Sequence, residues 1–298
     1  MARKKRMLLI INPKSGTGRL RPKLLDVLDL FTREGYQVQA YVTQGAEDAR
    51  DAVVRYGAKM DRIVCSGGDG TLNEVLWGIM ELPKPVPLGY IPSGSTNDFA
   101  ASLQIPRQIL PAAKAAAEGE PHAVDIGSFC GERYFAYVAG FGAFTEVSYL
   151  TPQDKKNVLG HQAYMLEGVR SLASIKSYPM SVAWEGGQAE GEFIFGMVTN
   201  TISVGGFKGL VNQKVALDDG LFEVLLIRMP KTPLEFSNIV SGLFLRDERE
   251  NELVYKFKTP SIRFQAQEPV DWVLDGEFGG TKTEVFVENL RRRLEICR

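Results

Sequence analysis

The chain has 298 residues, 44% hydrophobic and 24% charged, the balance of a soluble globular protein with room for two cores. Its net charge of -1 at pH 7 excludes a global field that would draw it onto nucleic acid, so any basic patch has to be local. Three cysteines, Cys65, Cys130 and Cys297, are odd in number and far apart, which argues against a disulfide framework or a zinc site and fits a reducing cytoplasm.

The start, "MARKKRMLLIIN", imitates a signal peptide, with four basic residues before an apolar stretch. Only "MLLII" is apolar before Asn12, shorter than a signal core and far short of the roughly 20 residues that cross a bilayer. It reads as a buried first strand, and no other segment is long enough to span a membrane. Leu24, Leu28 and Phe31 then recur at helical spacing, with Pro22 where a first turn tolerates it and Gly35 as the stop. "YQVQAYVT" alternates as a second strand. A helix through "EDARDAVVRYG", the strand "RIVCSG", a helix through "LNEVLWGIM" and the strand "LGYIP" follow. This series, from Met7 to about Gly119, is the pattern of an α/β domain with a parallel sheet and helices on both faces.

After His122 the texture turns to closely spaced strands: "YFAYVAGFG", "MSVAWEG", "EFIFGMVTN", "LFEVLLIRM", "SIRFQAQ", "DWVLDGEF" and "TEVFVEN". Their Gly and Asp turns predict an all-β, sandwich-like C-terminal domain, interrupted by one helical insertion around "GHQAYMLEGVRSLASI". The boundary falls near residues 120 to 126 without a flexible linker, giving a first unit of residues 1–125 and a second of 126–287.

Ligands of open parallel sheets bind beyond the carboxyl ends of the strands, and three small-residue loops fall there: "NPKSGTGR", "SGGDGT" and "PSGSTND". Glycines let a phosphate reach backbone N–H groups, and Thr71 and Asn73 add donors at the positive end of the next helix. Asp69 puts a negative charge in a place that favours anions, which Mg²⁺ reconciles by joining carboxylate to phosphate. The bland alternative is a tight turn with Asp69 capping the helix. The first loop departs from Walker A and from the dinucleotide fingerprint, so alone it reads equally as a plain turn. The third brings a second carboxylate, Asp98, to the same edge, although Asn97 or Asp98 would also serve as a helix cap. "LDGEF" places Asp275 and Glu277 two apart, and a carboxylate there can accept an alcohol's proton, though surface turns of this composition are common. "ALDDGLFEV" reads as a solvated hairpin or as a carboxylate among carbonyls holding hydrated Mg²⁺. The chain has only two histidines, His122 and His161, neither near a nucleophile motif, so a Ser-His-Asp hydrolase is not expected.

Together, in this order and over nearly the whole chain, these five segments resemble the bacterial soluble diacylglycerol kinase family, the YegS/BmrU-type lipid kinases, and more distantly the sphingosine kinases. The resemblance implies an α/β nucleotide domain completed by a last segment, about residues 288–298, and a β-rich lipid-substrate domain. It implies ATP bound by Asn12, Pro13, Lys14, Ser15, Gly16, Thr43, Gly67, Gly68, Asp69, Gly70, Thr71, Leu72 and Asn73, with Ser95 where the family more often has threonine. Asp69 and Asp98 match the aspartates that hold catalytic Mg²⁺ through water, and Glu277 matches the proposed base, with Asp69 as the base in the sphingosine kinase reading. A structural magnesium site carries over onto Ala216, Asp219 and Leu221. The expected reaction moves the ATP γ-phosphoryl group to a lipid hydroxyl at the surface of a bilayer, the inner membrane for a cytoplasmic protein. The basic runs "RKKR" (3–6) and "RRR" (291–293) could meet anionic headgroups, or are plain solvated charge. A kinase acting on a soluble acceptor such as NAD, a sphingoid-base kinase, and a nucleotide-binding sensor without turnover are the alternatives, and a homodimer is left open.

Overall fold

In the computed structural model the described residues are 4–16, 18–95, 97–143, 175–201, 203–204, 207–208, 215–244 and 251–298. The elements in chain order are β1 Lys5–Ile11, α1 Leu24–Arg33, β2 Tyr36–Val42, α2 Asp48–Tyr56, β3 Arg62–Gly67, α3 Asp69–Met80, β4 Leu88–Pro92, α4 Asp98–Ser102 and α5 Ile109–Glu118. They continue with β5 Pro121–Phe129, β6 Arg133–Phe135, β7 Val138–Gly142, β8 Tyr178–Trp184, β9 Gly187–Thr199, β10 Ser203–Val204, β11 Phe207–Lys208 and β12 Phe222–Arg228. The helix Pro233–Phe244, here α6, and the strands β13 Val254–Thr259, β14 Ser261–Leu274 and β15 Glu277–Cys297 complete the chain.

The first apolar run becomes β1, with Met7 to Ile10 fully buried at the centre of a parallel sheet ordered β2-β1-β3-β4. β1, β3 and β4 are buried along most of their length, as strands covered on both faces must be, whereas the edge strand β2 keeps the alternation visible in its sequence. The helices pack in pairs, α1 with α5 and α2 with α3. Val27 and Phe31 are the buried residues of α1, and Pro22 lies in a 3₁₀ turn that leads into it.

Apart from the two-stranded β10-β11 ribbon, the described strands of the C-terminal half do not form sheets set apart from the first half. Strands of both halves join one 13-stranded sheet, ordered β13-β12-β9-β7-β14-β15-β4-β3-β1-β2. β7 and β8 each pair with both β9 and β14, β7 along one half of those strands and β8 along the other. The sheet thereby encloses an aromatic core in which Trp272 meets Phe141 and Phe264 at 5.0 Å and Phe129 at 5.4 Å between ring centroids.

β15 is the bridge between the halves. It runs antiparallel to β14 and β5, then pairs Ile296 and Cys297 in parallel with Leu88 and Gly89 of β4. Its register against β5 breaks between Leu290 and Leu294, where Arg292 adopts a φ of 52°. The fully buried Asp125 fixes this bulge by accepting from the Arg292 N–H and the Gly220 N–H, each at 2.7 Å. Two arginines of the "RRR" run meet partners at the surface: Arg291 donates to the Asp218 carbonyl and Arg292 pairs with the Asp218 carboxylate at 2.9 Å.

Several elements escape the sequence pattern: β5, α5, β13 and α6. α6 carries Ile239 and Leu243 on one face, both in the core that also holds Phe195, Met197 and Leu225. The expected helical insertion at residues 160–175 lies almost wholly outside the described residues. Among the described residues no helix is long and apolar enough to cross a membrane.

Candidate active site

The three small-residue loops meet at one edge of the sheet because side chains are missing where their backbones touch. Gly16 has a φ of +54°, and a Cβ there would stand 2.3 Å from the Ser93 carbonyl oxygen. A Cβ on Gly94 would stand 2.6 Å from the Gly68 Cα. Hydrogen bonds complete the contact: Asn12 donates from Nδ2 to Thr71 Oγ1 at 2.8 Å and from its backbone to Ser66 O at 2.9 Å. Asn97 folds over its own loop, accepting from Tyr90 Oη and the Gly94 N–H, both at 3.1 Å, and donating to Gly94 O.

At this junction α3 begins with Gly68 as its cap residue and Asp69 as its first helical residue, without a side-chain capping bond. Asp69 is therefore not the helix cap that its local sequence allowed. The first-turn N–H groups of α3 are of the kind that attract an anion, and Ser15 Oγ is buried beside them with no hydrogen-bond partner among the described residues. Alongside lies a cavity of about 220 Å³ lined by Ile11, Asn12, Pro13, Ser15, Leu24 and Val42. Thr43 is buried and tied to the end of β1 through Ile11 O at 2.9 Å.

The other expected nucleotide contacts divide. Lys14 and Ser95 are exposed, Lys14 with its N–H on Asn12 Oδ1 at 2.9 Å. Leu72 faces the core, and its N–H is taken by Gly68 O at 3.0 Å, so neither group is free for a ligand. Asn73 turns its amide away from the phosphate edge, to Asp275 Oδ2 at 2.7 Å and Tyr134 O at 3.1 Å.

Burial, with the charges of Asp98 and Asp275, pushes the Asp69 carboxyl up to about 6. One of its oxygens accepts from the Asp98 N–H at 3.3 Å, and the other is buried without a partner among the described residues. An orphaned carboxylate oxygen beside a second buried aspartate fits a hydrated divalent cation. Among the described residues no three His, Cys, Asp or Glu side chains cluster closely enough to hold a metal by themselves. The remaining ligands of such a cation would be water and phosphate oxygens.

Glu277 opens β15 directly after the Asp275-Gly276 turn, and its carboxylate lies against α3: a Cβ on Gly70 would stand 2.8 Å from Glu277 Oε1. Asp275 holds the turn there. It is buried with a φ of 49°, and it accepts hydrogen bonds from the Ala136, Tyr137 and Val138 N–H groups and from Asn73 Nδ2, at 2.6 to 3.0 Å. Arg133 adds a latch, donating to Phe278 O at 2.8 Å while its guanidinium lies 5.4 Å over the Trp77 ring of α3. The sequence placed Asp275 beside Glu277 but carried no sign that it is the strut between the halves, because its partners are 137 to 202 residues away.

The second metal site fits less well. Asp219 accepts from the Leu221 N–H at 3.0 Å and faces Lys258 Nζ at 3.4 Å, and the same ammonium meets Glu223 Oε1 at 2.8 Å. The turn holding Ala216, Asp219 and Leu221 thus has its counter-charge from lysine, and no chemistry is assigned to a metal there. His122 is exposed and far from any role, bonded to Glu120 O.

Residues 6–129 match the family model of the diacylglycerol kinase catalytic domain. A diacylglycerol kinase of Bacillus subtilis is 36% identical over 98% of this chain and 96% of its own length. One from Staphylococcus aureus is 34% identical over 98% of this chain and 92% of its own length. In fold, a solved diacylglycerol kinase chain from Bacillus anthracis matches with a TM-score of 0.76 at 23% identity, covering 100% of this chain and 97% of that one. Full-length identity of this order, on top of a glycine-built sheet edge met by a carboxylate from the other half, leads to one conclusion: the chain belongs to the diacylglycerol kinase family.

Proposed function

We propose that the protein is an ATP-dependent lipid kinase that transfers the γ-phosphoryl group to the hydroxyl of a diacylglycerol-like lipid. The observation that carries this reading is the approach of Glu277, from the start of β15, to Gly70 in the turn that holds Asp69. A phosphate chain seated on the α3 N-terminus and the Ser15 hydroxyl would point its last phosphoryl group at this junction. Little covalent chemistry is then required of the protein, so positioning and charge stabilisation dominate.

Asp69 and Asp98 are the residues that would hold Mg²⁺ through water, and the ion would neutralise the charge on the phosphoryl oxygens. Glu277 orients the acceptor hydroxyl and takes its proton late, since a carboxylate is a weak base toward an alcohol. A lipid acceptor brings the protein to a bilayer surface to meet its substrate. Glu277→Gln keeps the shape and removes the base. It is expected to lower kcat by at least ~100-fold while the KM for ATP changes by less than about twofold. The check is phosphorylation of a fractionated lipid extract with labelled ATP. Wild-type turnover by this variant would remove Glu277 from the reaction and make Asp69 the base to test.

A further inference from the structure

Tyr137, between β6 and β7, is 6% exposed, and its hydroxyl, which is not sealed from solvent, makes no hydrogen bond to the described residues. Its backbone is fixed on both sides. The N–H donates to Asp275 Oδ1 at 2.9 Å, and the carbonyl accepts from Thr199 Oγ1 at 2.6 Å and the Asn200 N–H at 3.0 Å. The ring is carried to the turn that precedes Glu277, where a Cβ on Gly276 would stand 3.8 Å from Tyr137 Oη. Asp69, Asp275 and Asp98 are the acidic groups that act on it, and with burial they hold the phenol well above its ordinary value. It therefore stays an O–H donor at any working pH.

A hydroxyl that touches solvent and has no acceptor among the described residues is a donor that an entering ligand can take. Asp275 cannot be that acceptor, because its oxygens are already taken by four N–H donors. What enters this space during the proposed reaction is the junction between nucleotide and acceptor. The acceptor oxygen has to lose its proton to Glu277, so a donor on it would work against attack. The phosphoryl oxygens gather charge instead, and a fixed neutral donor in a closed site favours that charge.

We infer that Tyr137 Oη donates a hydrogen bond to an oxygen of the transferring phosphoryl group, which makes Tyr137 a further catalytic residue. This rests on the lipid kinase reading. Tyr137→Phe removes one oxygen and keeps the ring. It is expected to lower kcat by ~10 to 100-fold, with the KM for ATP and the affinity for ADP within about twofold of the parent. Binding of ADP with aluminium fluoride, which mimics the phosphoryl group in flight, should weaken by a similar factor. A variant that keeps kcat within twofold and binds ADP–aluminium fluoride as the parent does overturns the role of Tyr137 and leaves the kinase reading standing. Absence of lipid phosphorylation by the parent protein across the whole extract overturns both.

Discussion

Two Asp-Gly turns border the same cleft, one from each half of the molecule, and they treat their carboxylates in opposite ways. Asp275 is enclosed by three backbone N–H groups and the Asn73 amide, so its charge is fully used inside the protein. Asp69 has one oxygen on the Asp98 N–H and the other buried with nothing to bond, and its carboxyl is pushed up to about 6. A buried charge that is saturated with donors serves the fold. One that is left short has capacity for something that arrives later, in the proposed reaction a cation and its phosphate. The contrast explains how two neighbouring aspartates of one cleft divide between architecture and chemistry.

The largest effect is expected at the saturated turn. Asp275→Ala strands three N–H groups and an amide in the interior and should cost about 3–5 kcal/mol in urea unfolding. A loss below about 1 kcal/mol would mean the turn does not join the halves.

At the unsaturated turn the sign reverses. Below pH ~4 the Asp69 carboxyl is protonated in folded and unfolded chains alike, so it imposes no penalty. As pH rises from about 4 through about 6, the unfolded chain ionises more readily and the penalty on the folded state grows to its full size. Asp69→Asn should therefore be more stable than the parent by ~1–3 kcal/mol at pH 8 in the absence of nucleotide, and indistinguishable at pH 3.5. Thermal melts at the two pH values check it, and equal stability at pH 8 would contradict the unpaired carboxylate. The same variant should lose turnover, trading function for stability.

The smallest stability change, and the most local readout, is expected where the two turns touch. The atom a Gly70→Ala methyl would meet is Glu277 Oε1, the movable end of a side chain. Stability should stay within about 1 kcal/mol, since alanine also favours the helix, while kcat falls ~10-fold because Glu277 is displaced. Unchanged kcat would mean that the observed approach of Glu277 to α3 is irrelevant to turnover.

The order of strands β1 to β4 and the helices between them was readable because burial on both faces of a strand and on one face of a helix writes itself into the spacing of apolar residues. The glycine-rich edge was readable for a related reason: close backbone contact excludes side chains, as Gly16, Gly68 and Gly94 record, while Gly67 and Gly70 leave room for the side chains of Thr71 and Glu277. α6 was missed although Phe236, Ile239 and Leu243 recur at helical spacing, because strands on either side set a β-rich texture. The roles of Asp275, Asn73 and Tyr137 had no local signature at all. Each depends on a partner far away in the chain.

The residues alone determined the inventory: which strands are central, which loops are rich in glycine, which carboxylates belong to the family pattern. Tertiary structure decided what each charge faces. Periodicity and glycine spacing are short-range consequences of backbone geometry, so they survive in a one-dimensional string. Hydrogen-bond saturation of a buried carboxylate depends on donors far away in the chain. Only the passage of β15 from the second half into the first sheet brings the Asp275 turn to its Asn73 donor, and Glu277 with it to the turn of Asp69.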